Sequence, residues 1–255
     1  MDLVQQLPLQ SRLNKIDMKA RVIKEKTRIE RRESIYKLQE FVKFTIPLIV
    51  ILKPDCYVLS IHGTDPFEKY INMDKVQPDI KLLRVISRVN TGVIFSSPDT
   101  IIIRIFYNTS NFKTIEEIKD AFFKSVVYIL NENKIDVKQS EHRELSNDIV
   151  FINKEGKEKK FCGTLSDIKY GYFSAILTLK LNADKIEGLY KLDSKKFKLR
   201  GNVSDITDVV GGLNEIDPTI TESIVDDIIN RMSISLNWEL ENSTFSEEEE
   251  KHLNK

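Results

Sequence analysis

The chain has 255 residues, 41% hydrophobic and 31% charged. That is enough apolar material for one large or two modest domains, and it excludes a disordered polyelectrolyte. Lys plus Arg is 39 and Asp plus Glu is 39; a protein held to nucleic acid by phosphate neutralisation would carry a basic surplus. Two cysteines, Cys56 and Cys162, and three histidines cannot build a disulfide framework or a Cys- or His-rich metal cluster. No run reaches the ~20 apolar residues that span a bilayer, and Asp2 directly after Met1 does not read as a signal peptide. The expectation is a cytoplasmic protein without nucleic-acid or membrane partners.

Residues 11–43 step their apolar side chains by three and four (Leu13, Ile16, Ala20, Ile23, then Ile35, Leu38, Val42), which predicts a helix. The mixed-sign run 24–32 reads as a solvated helix face laced with ion pairs, with a basic arm for an acidic partner as the other reading. From residue 45 the pattern becomes that of strands. Runs at 46–52 and 56–61 are split by Lys53-Pro54-Asp55, runs at 82–86 and 92–95 flank a polar turn, and 100–106 is apolar throughout except for Arg104. A buried strand there would need a partner for that guanidinium. Thr114 and Glu117 form a capping-box pattern ahead of the periodic Ile115, Ile118, Phe122, Val126 and Ile129. A hairpin follows, with arms at 149–152 and 159–164 around the Gly156 turn. Residues 172–181 read as a strand, 185–192 as a short helix and 220–232 as an amphipathic helix after Pro218. The 236–255 segment is an acidic tail that, beyond Ser243, reads as poorly ordered or in need of a partner. The division is a helical extension (1–44), one domain (45–235) and a tail (236–255). The fold class is α+β, with a mixed, mostly antiparallel sheet flanked by helices.

Among the polar residues, His62, His142 and His252 lack a triad context, and Gly211-Gly212 reads as a structural turn. The hairpin is more informative. Asn147 and Asp148 enter one arm, and Lys160-Phe161-Cys162-Gly163-Thr164 forms the other. Strict alternation places Lys160 and Cys162 on one face and Phe161 on the opposite, core-facing one. Lys160 then points out of the core, Gly163 admits a ligand or another backbone, and the ammonium suits a carboxylate or phosphate.

Asn147-Asp148-Ile149-Val150 followed by Lys160-Phe161-Cys162-Gly163-Thr164 resembles the lipoate–protein ligases of the biotin/lipoate ligase superfamily. There an Asn-Asp-apolar strand precedes a Lys-(Ile/Val)-(Ser/Gly)-Gly-Ser-Ala segment. The likeness runs from about residue 35 to about 235 and includes Leu213-Asn214-Glu215-Ile216-Asp217-Pro218 before the last helix. It implies the catalytic-domain fold of that superfamily. It also implies ATP, Mg²⁺ and lipoic or octanoic acid as the reacting set, Lys160 as the acyl-binding lysine, and Asp148 near the metal and phosphates. Arg88, Asn90, Gly92, Asn147 and Gly163 would line the nucleotide and acyl region. The partners implied are a lipoyl domain or a glycine-cleavage H-type carrier and, as in some relatives, an accessory subunit supplied as another chain.

The family's Arg-Arg-x-x-Gly-Gly-Gly loop, followed by His-Asp, corresponds here to residues 87–97, which keep one arginine (Arg88) and one glycine (Gly92) and end in Ser96-Ser97. The sequence therefore supports two readings. One is a ligase or acyltransferase that attaches a lipoyl-type group to a carrier lysine through an acyl-adenylate. The other is a non-catalytic relative that binds lipoyl carriers or scaffolds another ligase. A third idea, Cys162 as a thiol nucleophile, stands against its reading as a small buried thiol.

Overall fold

The computed structural model describes residues 18–27, 35, 38, 44, 46–85, 92–107, 112–141, 147–167, 171–192 and 203–254. The strands are β1 (Met18–Thr27), β2 (Leu48–Pro54), β3 (Tyr57–His62), β4 (Ile80–Val85), β5 (Gly92–Ser96), β6 (Thr100–Phe106), β7 (Val137–Gln139), β8 (Asp148–Ile152), β9 (Glu158–Asp167), β10 (Tyr172–Thr178) and β11 (Trp238–Asn242). The helices are α1 (Phe112–Glu132), α2 (Ser223–Leu236) and α3 (Glu247–Leu253). An eight-stranded sheet has the order β11-β1-β2-β6-β10-β9-β8-β7, and a three-stranded sheet the order β4-β3-β5. In the large sheet β1 runs parallel to β11 and β2, and every other neighbouring pair is antiparallel. The α+β class with a mixed, mostly antiparallel sheet is thus as the sequence predicts.

Period-two alternation gives the large sheet two buried faces. Ile101, Ile103 and Ile105 of β6 and Phe173, Ala175 and Leu177 of β10 pack with Ile118, Phe122 and Val126 of α1 and Ile228 and Met232 of α2. The opposite face meets other parts of the chain, the buried helical residues Ile35 and Leu38 among them. There Leu48, Val50, Leu52, Ile102, Phe106 and Tyr172 join Val85 from the small sheet and Leu253 from α3. Burial on both sides explains why β6 reads as a nearly continuous apolar run. Each fully buried branched side chain there stabilises the fold by about 2 kcal/mol. Arg104 is fully buried on the same face, away from α1 and α2, opposite Val50 on one side and Ser174 on the other. Among the described residues no helix is long and apolar enough to cross a membrane.

Four local expectations need correction. Residues 18–27 are a strand rather than part of a helix: Ala20 and Val22 pack on the helix side and Ile23 on the other, a two-faced burial that only an extended chain between β11 and β2 satisfies. The remainder of 11–43 lies outside the described residues apart from isolated positions. Helix α1 begins at Phe112, so Thr114 sits in its first turn and not at its cap. At 183–185 a short 3₁₀ turn replaces the helix expected over 185–192. The acidic tail is built into the fold. β11 pairs with β1, and Leu253 is buried in the cluster on the face opposite α1 and α2. The large sheet therefore takes in residues on both sides of 45–235.

A reciprocal cap starts α3. The Ser246 hydroxyl accepts from the Glu249 N–H (3.3 Å) and the Glu249 carboxylate accepts from the Ser246 N–H (2.7 Å). The acids in its first turn suit the helix dipole. The same Glu249 carboxylate, 3% exposed, takes a two-pronged ion pair from Arg21 at 2.8 and 3.0 Å. Burial raises the Glu249 carboxyl, but the bonds from Arg21 and Ser246 outweigh burial and hold it below its ordinary value. Removing the cation strands a buried carboxylate, so Arg21→Ala should lower unfolding free energy by about 3 kcal/mol in urea denaturation. A carboxyl depressed by folding stabilises at neutral pH and loses that contribution as pH falls below about 4. The stability gap between wild type and Glu249→Gln should therefore shrink on acidification; a gap independent of pH would contradict the pairing.

Candidate functional site

The hairpin of β8 and β9 has an irregular register. Asp148 faces Gly163 and Ile149 faces Cys162, but Val150 faces Lys160. Phe161 is the extra residue of a β-bulge, and a bulge re-aims the side chains around it. Phe161 and Cys162 both enter the core under α1 and α2 with Ile149 and Phe151, while Lys160 emerges on the opposite face beside Asp148 and Gly163. The shared face of Lys160 and Cys162 expected from strict alternation is thus overturned, and the one extra residue is the reason.

On that face the Lys160 ammonium lies 2.6 Å from Asp148 Oδ1, with side-chain exposures of 35% and 11%. Its tail runs over Gly163. A methyl group at 163 would stand 2.7 Å from Lys160 Nζ, 2.8 Å from Cε and 3.7 Å from Asp148 Oδ1. Gly163 thus gives the lysine its bed; the atoms it admits belong to this chain's own cation. Across the sheet, Gly163 faces Ile176 of β10 and Ile176 faces Ile102 of β6, so an apolar floor continues from the ammonium.

The backbone of Lys160 is gripped as well. β10 accompanies β9 only as far as Cys162. Beyond it the 209–211 segment takes over that edge, with Lys160 N–H donating to Val209 O (2.8 Å) and Gly211 N–H to Lys160 O (2.9 Å). The Gly211-Gly212 turn is structural, as expected, and its closeness explains the glycines. A methyl group at 211 would meet Glu215 and the Phe151 ring at 2.7 Å. Glu215 also accepts from Lys159 Nζ at 2.9 Å and from Gly212 N–H at 3.0 Å. The sequence signalled a turn here but not that it holds the peptide of Lys160.

The other expected site residues lie as follows. Asn147 is exposed just before β8, and its carbonyl accepts from the Thr164 N–H and hydroxyl. Gly92 opens β5 opposite His62, and Val85 closes β4 at the same end of the small sheet. Val85 shares the cluster against which Ile176 and Leu165 pack, so this end of the small sheet abuts the apolar floor. Arg88 and Asn90 lie outside the described residues. Ser97, in the place of the family's His-Asp pair, shapes the β5–β6 turn: its N–H donates to the Thr100 hydroxyl at 3.1 Å and its own hydroxyl accepts from Asp99 N–H at 3.2 Å. The structure thus unites Lys160, Asp148 and Gly163, and leaves Asn147 and Gly92 at the margins. Among the described residues no group of three His, Cys, Asp or Glu side chains could hold a metal. An open groove of about 610 Å³ beside Phe123, Val127 and Tyr128 of α1 is on the helix side, away from Lys160.

Cys162 is completely buried. Burial pushes its thiol far up, and the nearby Lys160 charge offsets this only in part. A thiol so held is not a nucleophile.

This arrangement of sheets and helices is the fold of lipoate–protein ligases of known structure. The archaeal bipartite lipoate protein ligase of Thermoplasma acidophilum, studied with its E2 lipoyl domain, superposes with a TM-score of 0.73 at 17% identity, over 93% of this chain and 91% of that one. A lipoate–protein ligase A bound with ATP gives 0.72 at 15% identity over 93% of each chain. Plasmodium falciparum LipL1 in complex with lipoate gives 0.59 at 14%, over 92% of this chain and 70% of that one. At these identities the likeness is one of fold. No protein-family model matches the chain, and no curated protein matches it in sequence.

Thiol accessibility tests the bulge directly. Iodoacetamide should place at most one group on the native protein, at Cys56, and reach Cys162 only after unfolding in guanidinium chloride. Native-state alkylation of Cys162 would contradict the placement of Phe161 and Cys162 in one core.

Proposed function

We propose that the chain is a cytoplasmic lipoate– or octanoate–protein ligase, or an acyltransferase of that type, which joins a lipoyl-type acyl group to a lysine of a lipoyl-domain or H-type carrier. The observation that carries this reading is the Lys160 ammonium held beside Gly163 on the face opposite α1 and α2, with the apolar Ile176 and Ile102 behind it. A cation at the head of an apolar floor suits a fatty acid: carboxylate at Lys160, chain along the floor. Solved structures of the same fold hold lipoate and ATP and are studied with a lipoyl domain, which supports the choice of substrates and partner.

In this reading the acid's carboxylate attacks the α-phosphorus of ATP and pyrophosphate leaves. The carrier's amine then attacks the acyl carbon and AMP leaves. Lys160 neutralises charge on the carboxylate and phosphate oxygens, an interaction that strengthens as charge develops. Asp148 lies against Lys160, and among the described residues no three-ligand cluster stands ready for a metal, so in this reading Mg²⁺ would arrive with the nucleotide. Arg88, Asn90, Gly92 and Asn147 belong to the nucleotide side of the proposal.

The test incubates the protein with lipoate or octanoate, ATP, Mg²⁺ and a lipoyl domain, with and without an accessory subunit, and reads the carrier's mass. The expected result is a lipoyl or octanoyl adduct whose rate falls at least about 100-fold in Lys160→Ala, the scale of losing one charge-stabilising donor. No adduct under any of these conditions, with carrier binding retained and no calorimetric binding of lipoyl-AMP, would overturn the enzyme in favour of a carrier-binding scaffold.

A further inference from the structure

The ion pair at the head of the floor is chemically odd for a substrate-binding cation. The ammonium that is to receive a carboxylate already holds one, at 2.6 Å. With its cation one-third exposed, the pair has a net stabilising contribution on the order of 1 kcal/mol, a weak reason for its presence. Position explains it better. Asp148 faces Gly163 across the β8–β9 ladder, and the bulge brings Lys160 to the same face. The lysine tail then fills the space that a methyl group at 163 would take. Bulge, glycine and carboxylate together hold one flexible cation in one place.

Resting on the reading that Lys160 receives the acyl carboxylate, we infer that Asp148 is an internal stand-in for that carboxylate: a positioning residue that keeps Lys160 in place and competes with the free acid for it. The two groups are the same chemically, and the tethered one is always present at high effective concentration. A free acid must therefore displace or share the Asp148 interaction, which weakens its binding. An acyl-adenylate carries one negative charge, as the free acid does, so Asp148 competes with both at the same cation.

Two substitutions have opposite signs. Asp148→Asn keeps the shape and removes the competing charge. Gly163→Ala, whose methyl group meets mainly the movable end of the lysine, leaves the fold intact but pushes the ammonium off its bed. Octanoate binding is measured calorimetrically without nucleotide, and the Lys160 ammonium is followed by ¹H–¹⁵N NMR, assigned with Lys160→Arg. The protected ammonium signal of the wild type should be lost in both variants. Octanoate should bind about tenfold more tightly to Asp148→Asn and about tenfold more weakly to Gly163→Ala. A purely structural pair would move both affinities the same way. If wild type binds octanoate and Asp148→Asn binds it no better, the stand-in role is overturned while the ligase reading survives. If neither protein binds any octanoate although the ammonium signals behave as expected, both fall.

Discussion

The extra residue in β9 is the constraint on which the site depends. A regular strand sends residues 160 and 163 to opposite faces, and the lysine would then have neither Gly163 beneath it nor Asp148 beside it. With Phe161 bulged, Lys160, Gly163 and Asp148 share a face, and Phe161 and Cys162 sink together into the helix-side core. The cation's direction is therefore set by apolar packing on the other side of the sheet. The Gly211 turn takes up the backbone edge that β10 leaves at Cys162, so the lysine is fixed from its peptide bonds to its ammonium.

The central architecture was legible because its strands are buried on both faces and its turns carry glycine. β6, β10 and the β8–β9 hairpin stand where periodicity and turn chemistry put them. β1 was misread because Ala20 and Ile23 fit a helical spacing as well as a two-faced strand, and only the parallel neighbours β11 and β2 decide between the two. The tail was misread for a different reason. Its charge run suggested solvation, yet Ser246 and Glu249 form a capping-box pattern that the sequence displays. What could not be seen was the remote Arg21 that makes the same carboxylate an anchor.

Of the candidate site, the residue identities were legible and their directions were not. Asn147-Asp148 and Lys160…Gly163 were recognisable as a pair of segments, but strict alternation gave Cys162 the wrong face. Two consecutive apolar residues, Phe161 and Cys162, just after two lysines were the available signal for a bulge. Asp148 illustrates the same limit: its side chain lies against Lys160, a relation that depends on register rather than composition. Arg104 lies, as expected, in a buried strand, and it shares with Lys160 the face opposite α1 and α2, two residues along β6 from the Ile102 that continues the floor.

The account rests on where an acid's head group goes. The most direct measurement is a crystal structure with lipoic acid bound. The account predicts the carboxylate within about 3 Å of Lys160 Nζ, Asp148 displaced or sharing the ammonium, and the chain lying toward Ile176 and Ile102. An acid bound elsewhere, with the Lys160–Asp148 pair undisturbed, would contradict it.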